Sequence, residues 1–186
     1  MSEWLQGLNL YLIGMMGSGK TTVGQVVAQQ LGYQFFDTDA VIEQAAGQPI
    51  TQLFAELGEA GFRALESQVL AELSAYTRLA IATGGGIVTR RENWSYLRHG
   101  VIVWLDVPLE QLQTRLQADT TRPLLQQGEL TQRLQTLLEQ RRSLYAQADV
   151  RVEFVPEESL DQLANRILQH IRQIIKPQTS PPDYGN

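Results

Sequence analysis

Residues Gly14-Met15-Met16-Gly17-Ser18-Gly19-Lys20-Thr21 decide how this chain folds. They match the pattern G-x-x-x-x-G-K-[ST], between an apolar run at residues 8–14 and an amphipathic run at residues 20–31. The glycines let the backbone curve so that its N–H groups surround phosphate oxygens, and the start of the following helix adds the positive end of its dipole. The stretch therefore predicts a phosphate-binding loop between a strand and a helix.

The rest of the chain repeats this alternation of short apolar runs and longer amphipathic stretches, which is typical of a parallel sheet covered by helices. We expect five strands, mostly continuous apolar runs suited to burial on both faces, at residues 8–14, 34–37, 79–83, 101–106 and 150–155. Helices are expected at residues 20–31, 38–46, 61–76, 90–98, 109–117, 130–147 and 160–175. The predicted fold class is α/β, a three-layer αβα arrangement around a five-stranded parallel sheet.

Two segments do not fit this pattern. Residues 118–129 are polar and rich in helix breakers, with Arg122 followed by Pro123, and such long loops are often mobile lids. Residues 177–186 contain three prolines and have little to bury, which favours a disordered tail. With 186 residues and 43% hydrophobic content, the chain is expected to form one domain over residues 1–176.

Composition excludes several classes of function. The chain has no cysteine and two histidines, so we expect any metal to have oxygen ligands. A net charge of −5 argues against nucleic acid as a partner. The N-terminus lacks the basic region of a signal peptide, and no apolar run approaches the roughly 20 residues of a membrane span, so we expect a cytoplasmic protein without a membrane partner.

Residues suited to phosphate chemistry occur in the motif and at the end of the second strand. Lys20, one of only two lysines, is expected to reach the β- and γ-phosphates of a nucleotide, and Thr21 to offer its hydroxyl to Mg²⁺. Asp37 and Asp39 lie at the end of the second strand, where ligands of parallel sheets collect. One of these carboxylates would organise the hydrated Mg²⁺ and the other would accept a hydrogen bond from the attacking hydroxyl. The alternative is that either aspartate merely caps the next helix.

Other candidate residues have weaker local signals. Three glycines at 84–86 follow the third strand, and they would let backbone N–H groups approach a ligand unless they form only a flexible turn. Asp106 ends the fourth strand and resembles a second metal-binding position, but Val107 and Pro108 after it favour a place near the start of a helix. His99 and His170 have no catalytic setting.

Taken together, these residues resemble the shikimate kinase family in order and spacing over about residues 8–155. The resemblance rests on the phosphate-binding loop with Thr22 and Gly24, Phe36-Asp37-Thr38-Asp39, Gly58-Glu59, Phe62-Arg63 with Glu66, Gly84-Gly85-Gly86, Arg122-Pro123-Leu124-Leu125, and Arg141 four residues before Tyr145. It implies a P-loop kinase fold of the nucleoside-monophosphate-kinase-like group. It also implies transfer of the ATP γ-phosphate to the 3-hydroxyl of shikimate, a step of chorismate and aromatic amino-acid biosynthesis.

The resemblance also implies roles for individual residues. The positions that match shikimate-binding ones are Asp39, Arg63, Gly84, Gly85, Gly86 and Arg141, with the two arginines holding the carboxylate. Those that match ATP-binding positions are Gly17, Ser18, Gly19, Lys20, Thr21, Thr22, Arg115 on the adenine side and Arg122 in the lid. Thr21 and Asp37 match the magnesium positions, and the catalytic set is Lys20, Asp39 and Arg122. A loop near Val155 and Pro156 would contact adenine, and we expect a monomer.

Two other interpretations stay open at this point. A related P-loop kinase could act on another small hydroxy acid, such as gluconate, or on a nucleoside monophosphate, but Asp39 together with Arg63 and Arg141 favours shikimate. A nucleotide-binding module without catalysis is disfavoured because the predicted catalytic residues are all present. Each arginine alone would be interpreted as a solvated surface residue, and only the joint pattern indicates a carboxylate site.

Overall fold

The computed structural model describes residues 3–117 and 130–175. Five parallel strands form its sheet: β1 Asn9–Ile13, β2 Gln34–Asp37, β3 Leu79–Ala82, β4 Gly100–Asp106 and β5 Val150–Glu153. Their order across the sheet is β2-β3-β1-β4-β5. The carboxyl end of β1, from which the phosphate-binding loop leaves, therefore lies at the centre of the sheet, and the predicted parallel sheet is confirmed.

Helices cover both faces. They are α1 Lys20–Leu31, α2 Thr38–Ala46, α3 Ile50–Ser74, α4 Asn93–Leu97, α5 Leu109–Gln117, α6 Leu130–Tyr145 and α7 Leu160–Ile174. Short 3-10 turns occur at Glu3–Leu5 and Ile87–Thr89. The predicted three-layer αβα fold is confirmed, although α4 is shorter than the helix expected over residues 90–98.

Each face of the sheet has its own hydrophobic cluster, because successive side chains of a strand point to opposite faces. On one face, Leu10 and Leu12 of β1 belong to the α1/α7 cluster, which includes Val23, Val27, Ile167 and Ile171. On the other face, Tyr11 and Ile13 belong to the α2–α6 cluster, which includes Phe62, Leu70, Leu97, Leu112 and Leu134.

The edge strands depart from the expected burial on both faces. In β5, Val150 and Val152 are buried while Arg151 and Glu153 are exposed, and β2 has no fully buried residue. The prediction was wrong for these two strands because helices cover the sheet edges less completely than its centre. Burial on both faces holds for β1, which lies in the middle.

Helix α3 begins eleven residues before the predicted position 61, at Ile50. Its first part ends in a kink at Gly58, where φ is 68° and ψ is 178°. A glycine with this backbone conformation interrupts the helical repeat. The sequence pattern therefore predicts only the part of the helix that follows the kink. The kink sets the direction of the part that carries Arg63 and Glu66.

Several predictions fall outside the described residues. The lid at 118–129 with Arg122 and the tail at 177–186 lie there, so their mobility, and the single-domain boundary at residue 176, stay predictions. Within residues 3–117 and 130–175, no helix is both long and apolar enough to cross a membrane.

Candidate active site

The loop between β1 and α1 has a backbone that only glycine accommodates easily. Gly14 has a φ of 142°, and a Cβ there would lie 2.8 Å from the carbonyl oxygen of Leu105 on β4. Gly19 forms the N-cap of α1 in the left-handed conformation, with a φ of 92°. These two glycines let the loop turn tightly above the sheet and enter α1 directly, as the motif predicts.

Lys20 extends back over this loop. Its Nζ donates to the carbonyl oxygens of Gly14 and Met15, at 2.9 and 2.8 Å, and to Ser18 Oγ at 3.3 Å. The side chain is largely buried, with 8% of the residue exposed. The ammonium group is therefore fixed at the loop, where the predicted contact with β- and γ-phosphates requires a positive charge.

Thr21 and Asp37, the two predicted magnesium positions, are in direct contact. Thr21 donates its hydroxyl hydrogen to Asp37 Oδ2 over 2.6 Å. The other carboxylate oxygen, Oδ1, accepts the backbone N–H groups of Asp39 and Ala40, at 2.9 and 3.4 Å, and so caps α2. The sequence left helix capping and metal chemistry as alternatives, but Asp37 has one oxygen available for each role.

This pair suits a hydrated Mg²⁺ better than a fully protein-bound metal. Among the residues that the structure describes, no group of three or more histidines and carboxylates could hold a metal ion. Thr21 uses its only hydrogen on Asp37, which leaves hydroxyl lone pairs for a cation, and its side chain is exposed. Mg²⁺ commonly takes one or two protein oxygens and completes its shell with phosphate and water.

The predicted shikimate-binding residues come together next to the phosphate-binding loop. Arg63 and Glu66 lie one turn apart on α3, Arg141 lies on α6, and Asp39 lies in the first turn of α2. Glycines 84–86 join β3 to the following 3-10 turn. A Cβ on Gly85 would lie 3.3 Å from the backbone nitrogen of Met16, so this segment packs directly against the phosphate-binding loop.

Both arginines are largely buried, which excludes the solvated surface position expected for each one alone. The Arg63 side chain is 15% exposed, and Arg141 is 7% exposed. Arg63 Nη1 donates to Glu66 Oε2 at 2.5 Å, and its guanidinium carbon lies 5.9 and 5.7 Å from the ring centres of Phe54 and Phe62. Arg63 thus has a fixed position beside an aromatic wall.

Gly84 and Gly86 serve chiefly to make room for these side chains. A Cβ on Gly84 would overlap Glu66 Oε1 and lie 2.9 Å from Asp39 Oδ1, and one on Gly86 would overlap the Arg63 guanidinium. The expectation that their N–H groups face a ligand is wrong for Gly84, whose N–H donates to Thr38 Oγ1 at 2.9 Å. At Gly84, a glycine is needed for its small size and not for a backbone N–H group that is open to a ligand.

Two further residues contact the predicted site residues, although the sequence pattern assigned them no role of their own. Glu66 is 1% exposed, and burial raises its pKa, an effect that Arg63 opposes and Asp39 reinforces. Tyr145 donates its phenolic hydrogen to the Gly85 carbonyl oxygen at 2.6 Å, beside Arg141 Nη1 at 3.2 Å on the same oxygen. The available signal was spacing: Glu66 follows Arg63 by three residues and Tyr145 follows Arg141 by four, so each pair shares a helix face.

A second cleft lies on the other side of the phosphate-binding loop. Ser18, Leu105, Val107, Arg115, Phe154, Val155 and Glu158 are among its lining residues. Arg115 Nη1 donates to the Gly17 carbonyl oxygen at 3.1 Å, and its guanidinium lies 5.4 Å from the centre of the Phe154 ring. The structure thus brings Arg115 and Val155, both expected on the adenine side, to one cleft.

Asp106 does not join the site. It lies three residues before α5, as expected, but its carboxylate accepts hydrogen bonds from Arg151 Nε and Nη2 at 2.8 and 2.6 Å. Its charge is therefore matched by an arginine of the neighbouring strand rather than by the helix end alone. His99 is exposed in a turn and His170 lies on α7, consistent with no catalytic setting.

Comparison with known proteins agrees with this geometry. Residues 16–172 match the family model described as Shikimate kinase. Over 180 residues the chain is 61% identical to a shikimate kinase of Trichormus variabilis, covering 97% of this chain and 99% of that relative. The solved shikimate kinase from Acinetobacter baumannii in complex with shikimate is 39% identical, with a TM-score of 0.87 over 93% of this chain and 98% of that one.

A gluconokinase from Sinorhizobium meliloti is more distant, with 18% identity and a TM-score of 0.59 over 91% of this chain and 94% of that one. It supports the fold alone. The family match, by contrast, spans the cleft, the cluster around Arg63 and Arg141, and most of the phosphate-binding loop. The chain therefore belongs to the shikimate kinase family.

Proposed function

We propose that this chain catalyses the ATP-dependent phosphorylation of the 3-hydroxyl of shikimate, giving shikimate 3-phosphate and ADP. The observation that carries the proposal is that two largely buried arginines, Arg63 and Arg141, cluster with Asp39 around glycines 84–86, directly beside a phosphate-binding loop. A cluster of this kind is suited to a small acid that carries hydroxyl groups. The reaction is a step of chorismate and aromatic amino-acid biosynthesis.

Arg63 and Arg141 would bind the carboxylate of the acceptor. A guanidinium is always charged and holds a carboxylate through two parallel hydrogen bonds, and both effects are stronger where water is largely excluded. Glu66 keeps Arg63 in place through its ion pair, and the Gly85 carbonyl oxygen does the same for Arg141. Orientation of the acid at one end would direct a hydroxyl at the other end toward the γ-phosphate.

Asp39 would accept the hydrogen of the attacking hydroxyl. Its backbone N–H is held by Asp37 Oδ1, so the same carboxylate that adjoins Thr21 also fixes the start of the segment that presents Asp39. The carboxylates of Asp39 and Glu66 both lie close to Gly84. A carboxylate placed here by α2 is suited to general-base or orienting work on the acceptor.

On the nucleotide side, Lys20 and the N–H groups of Gly17, Gly19, Thr21 and Thr22 would surround the phosphates, while the Ser18 N–H donates to the Met15 carbonyl oxygen at 3.2 Å. Thr21 and Asp37 would hold a hydrated Mg²⁺, which supplies positive charge between the β- and γ-phosphates. Arg115 would lie along the adenine, and Arg122 of the lid would add charge on closure. We further propose that the protein acts as a cytoplasmic monomer, in keeping with its net charge of −5 and its lack of a long apolar run.

A coupled assay of ADP release tests this function, with shikimate, its methyl ester, gluconate and nucleoside monophosphates offered separately. We expect turnover with shikimate and little with the other acceptors. Replacing Arg63 by alanine should weaken shikimate binding by about 2 to 5 kcal/mol, because it removes a charged hydrogen-bonding partner from a closed site, and should leave the KM for ATP nearly unchanged. Equal activity on the acid and its ester would contradict the carboxylate pocket.

A further inference from the structure

One arginine of α7 ties together both ends of the loop that follows β5. Arg166 Nε and Nη2 donate to the two carboxylate oxygens of Glu158, at 2.8 and 2.7 Å, and Nη2 also donates to the carbonyl oxygen of Glu153 at 2.8 Å. Glu153 is the last residue of β5, and Glu158 precedes the N-cap of α7. The guanidinium therefore closes residues 154–158 into a short loop.

This loop forms one wall of the cleft beside the phosphate-binding loop. Phe154, Val155 and Glu158 line the cleft together with Ser18 and Arg115. Arg115 sits over the Phe154 ring, with 5.4 Å between the guanidinium carbon and the ring centre. A planar group that enters the cleft beside the phosphate-binding loop would therefore lie against residues 154–158. Its position would depend on the conformation of those residues.

The conformation of the loop requires support from outside. Glu157 has a φ of 61°, in the left-handed region that is unfavourable for a residue with a side chain. Backbone hydrogen bonding anchors the start of the loop, where Phe154 N–H donates to the Asp106 carbonyl oxygen, and the Ser159 capping box anchors the start of α7. Arg166 connects these two anchored ends.

Partial burial makes this connection stronger than an ordinary surface ion pair. The side chains of Arg166 and Glu158 are 23% and 13% exposed, and the pair is bidentate. Two parallel charged hydrogen bonds restrict both distance and angle, whereas a single exposed contact restricts neither. Helix α7 is itself fixed by Ile167 and Ile171 in the α1/α7 cluster, so the guanidinium has a rigid base.

We infer that Arg166 is a positioning residue for the purine base of the nucleotide. It acts through Glu158 and the Glu153 carbonyl group to hold residues 154–158 as the wall against which the base lies, and it has no contact with the phosphates. The inference rests on the proposed function, since it takes the cleft beside the phosphate-binding loop as the base subsite. Its consequence is that affinity for the base depends on Arg166 while affinity for the polyphosphate does not.

Titration calorimetry with MgADP and with inorganic tripolyphosphate separates these two contributions. In Arg166→Ala, ADP affinity should fall about tenfold, because residues in one ion-pair network are coupled to the loop they hold. Tripolyphosphate affinity should stay within about twofold of wild type, as for a substitution remote from the ligand. Arg166→Lys should fall in between, since lysine restores charge without the planar fork.

Arg172→Ala provides the matched control, because Arg172 lies on the same helix but packs over Trp4 at 4.9 Å from the ring centre. It should bind both ligands as the wild type does. Unchanged ADP affinity in Arg166→Ala, or an equal loss of both ligands in the folded Arg166→Lys variant, would overturn the inference. A wild-type chain that binds tripolyphosphate but not ADP would instead overturn the proposed function.

Discussion

The guanidinium of Arg63 occupies the space in which a Cβ on Gly86 would lie. Gly86 itself has a φ of −93°, which any residue adopts, so the glycine is required by its neighbour and not by its backbone. Arg63 is held in this space by Glu66 and by two aromatic rings. The size of one glycine thus determines where a proposed carboxylate ligand lies.

Replacing Gly86 by alanine should therefore displace Arg63 without touching the nucleotide side. We expect the KM for shikimate to rise at least about tenfold, since a shift of a charged ligand costs much of its hydrogen bonding, with the KM for ATP within about twofold of wild type. Steady-state kinetics with each substrate varied in turn measures both. Gly32→Ala is the control, because its Cβ would meet open space although its φ of 68° makes alanine strained. That variant should lose stability and keep its KM values; a normal shikimate KM in Gly86→Ala would contradict the steric argument.

Asp37→Asn should separate helix capping from metal chemistry. Asparagine caps helices about as well as aspartate, so the melting temperature should change little, but the negative charge beside Thr21 is lost. We expect the Mg²⁺ concentration for half-maximal activity to rise about tenfold or more. A magnesium titration of activity measures this. Asp106→Asn should keep the wild-type titration, because Arg151 and not the site holds that carboxylate, and a raised magnesium requirement there would reverse the assignment.

Glu66 should make folding stability depend on pH. Burial raises its pKa in the folded state, so the folded chain binds this proton more tightly than the unfolded chain does. The stability contributed by Glu66 is then fully present below its unfolded pKa and is lost as pH rises through the folded pKa. Relative to Glu66→Gln, the free energy of unfolding of the wild type should fall as pH rises from about 4 toward neutrality.

Urea denaturation of both chains at several pH values measures this difference. Glu59→Gln is the matched control on the same helix, since the Glu59 side chain is 71% exposed while that of Glu66 is 1% exposed. The difference in unfolding free energy between the wild type and the variant should change more steeply with pH for Glu66→Gln than for Glu59→Gln. A difference that grows in favour of the wild type with rising pH would show that the ion pair with Arg63, and not burial, governs Glu66.

Arg122 lies outside the described residues, and its prediction rests on the sequence. An arginine delivered by a closing lid would stabilise charge on the transferring phosphoryl group, so Arg122→Ala should reduce kcat at least about 100-fold. Thermal stability should stay nearly unchanged, because a loop arginine contributes little to the fold. Arg122→Lys should recover part of the rate. Turnover of the alanine variant within about twofold of wild type, as for an ordinary surface substitution, would end the lid proposal.

Local features of the fold were predictable because their signals lie within a few residues. The loop glycines, Lys20 and the start of α1 follow from one motif, and the ends of β1 differ from prediction by one residue each. The start of α3 was not predictable in the same way. Gly58 interrupts the helical period, and a pattern that stops at a glycine does not reveal that helix lies on both sides of it.

The acceptor pocket depends on long-range contacts that local patterns do not contain. Arg63 and Arg141 come from different helices, and nothing near either residue in the sequence indicates burial; the resemblance to a family carried that prediction. Glu66 and Tyr145 were present in the recognised pattern, but their contacts with Arg63 and the Gly85 carbonyl oxygen emerge only once α3, α6 and the glycine segment pack together.

The two hydrophobic clusters support different parts of the candidate site. The α2–α6 cluster supports α3 and α6, which carry Arg63 and Arg141. The cleft beside the phosphate-binding loop draws on both clusters, since Leu105 and Val152 belong to the α1/α7 cluster and Val107 to the α2–α6 cluster. The phosphate-binding loop and the helix that follows it also connect the two clusters, with Met15 packed in the α2–α6 cluster and Val23 of α1 in the α1/α7 cluster. Lost packing in the α1/α7 cluster, to which α7 and the wall of the cleft at Leu105 and Val152 belong, is therefore expected to disturb the nucleotide side more directly than Arg63 and Arg141, so the two halves of the site would lose order to different extents.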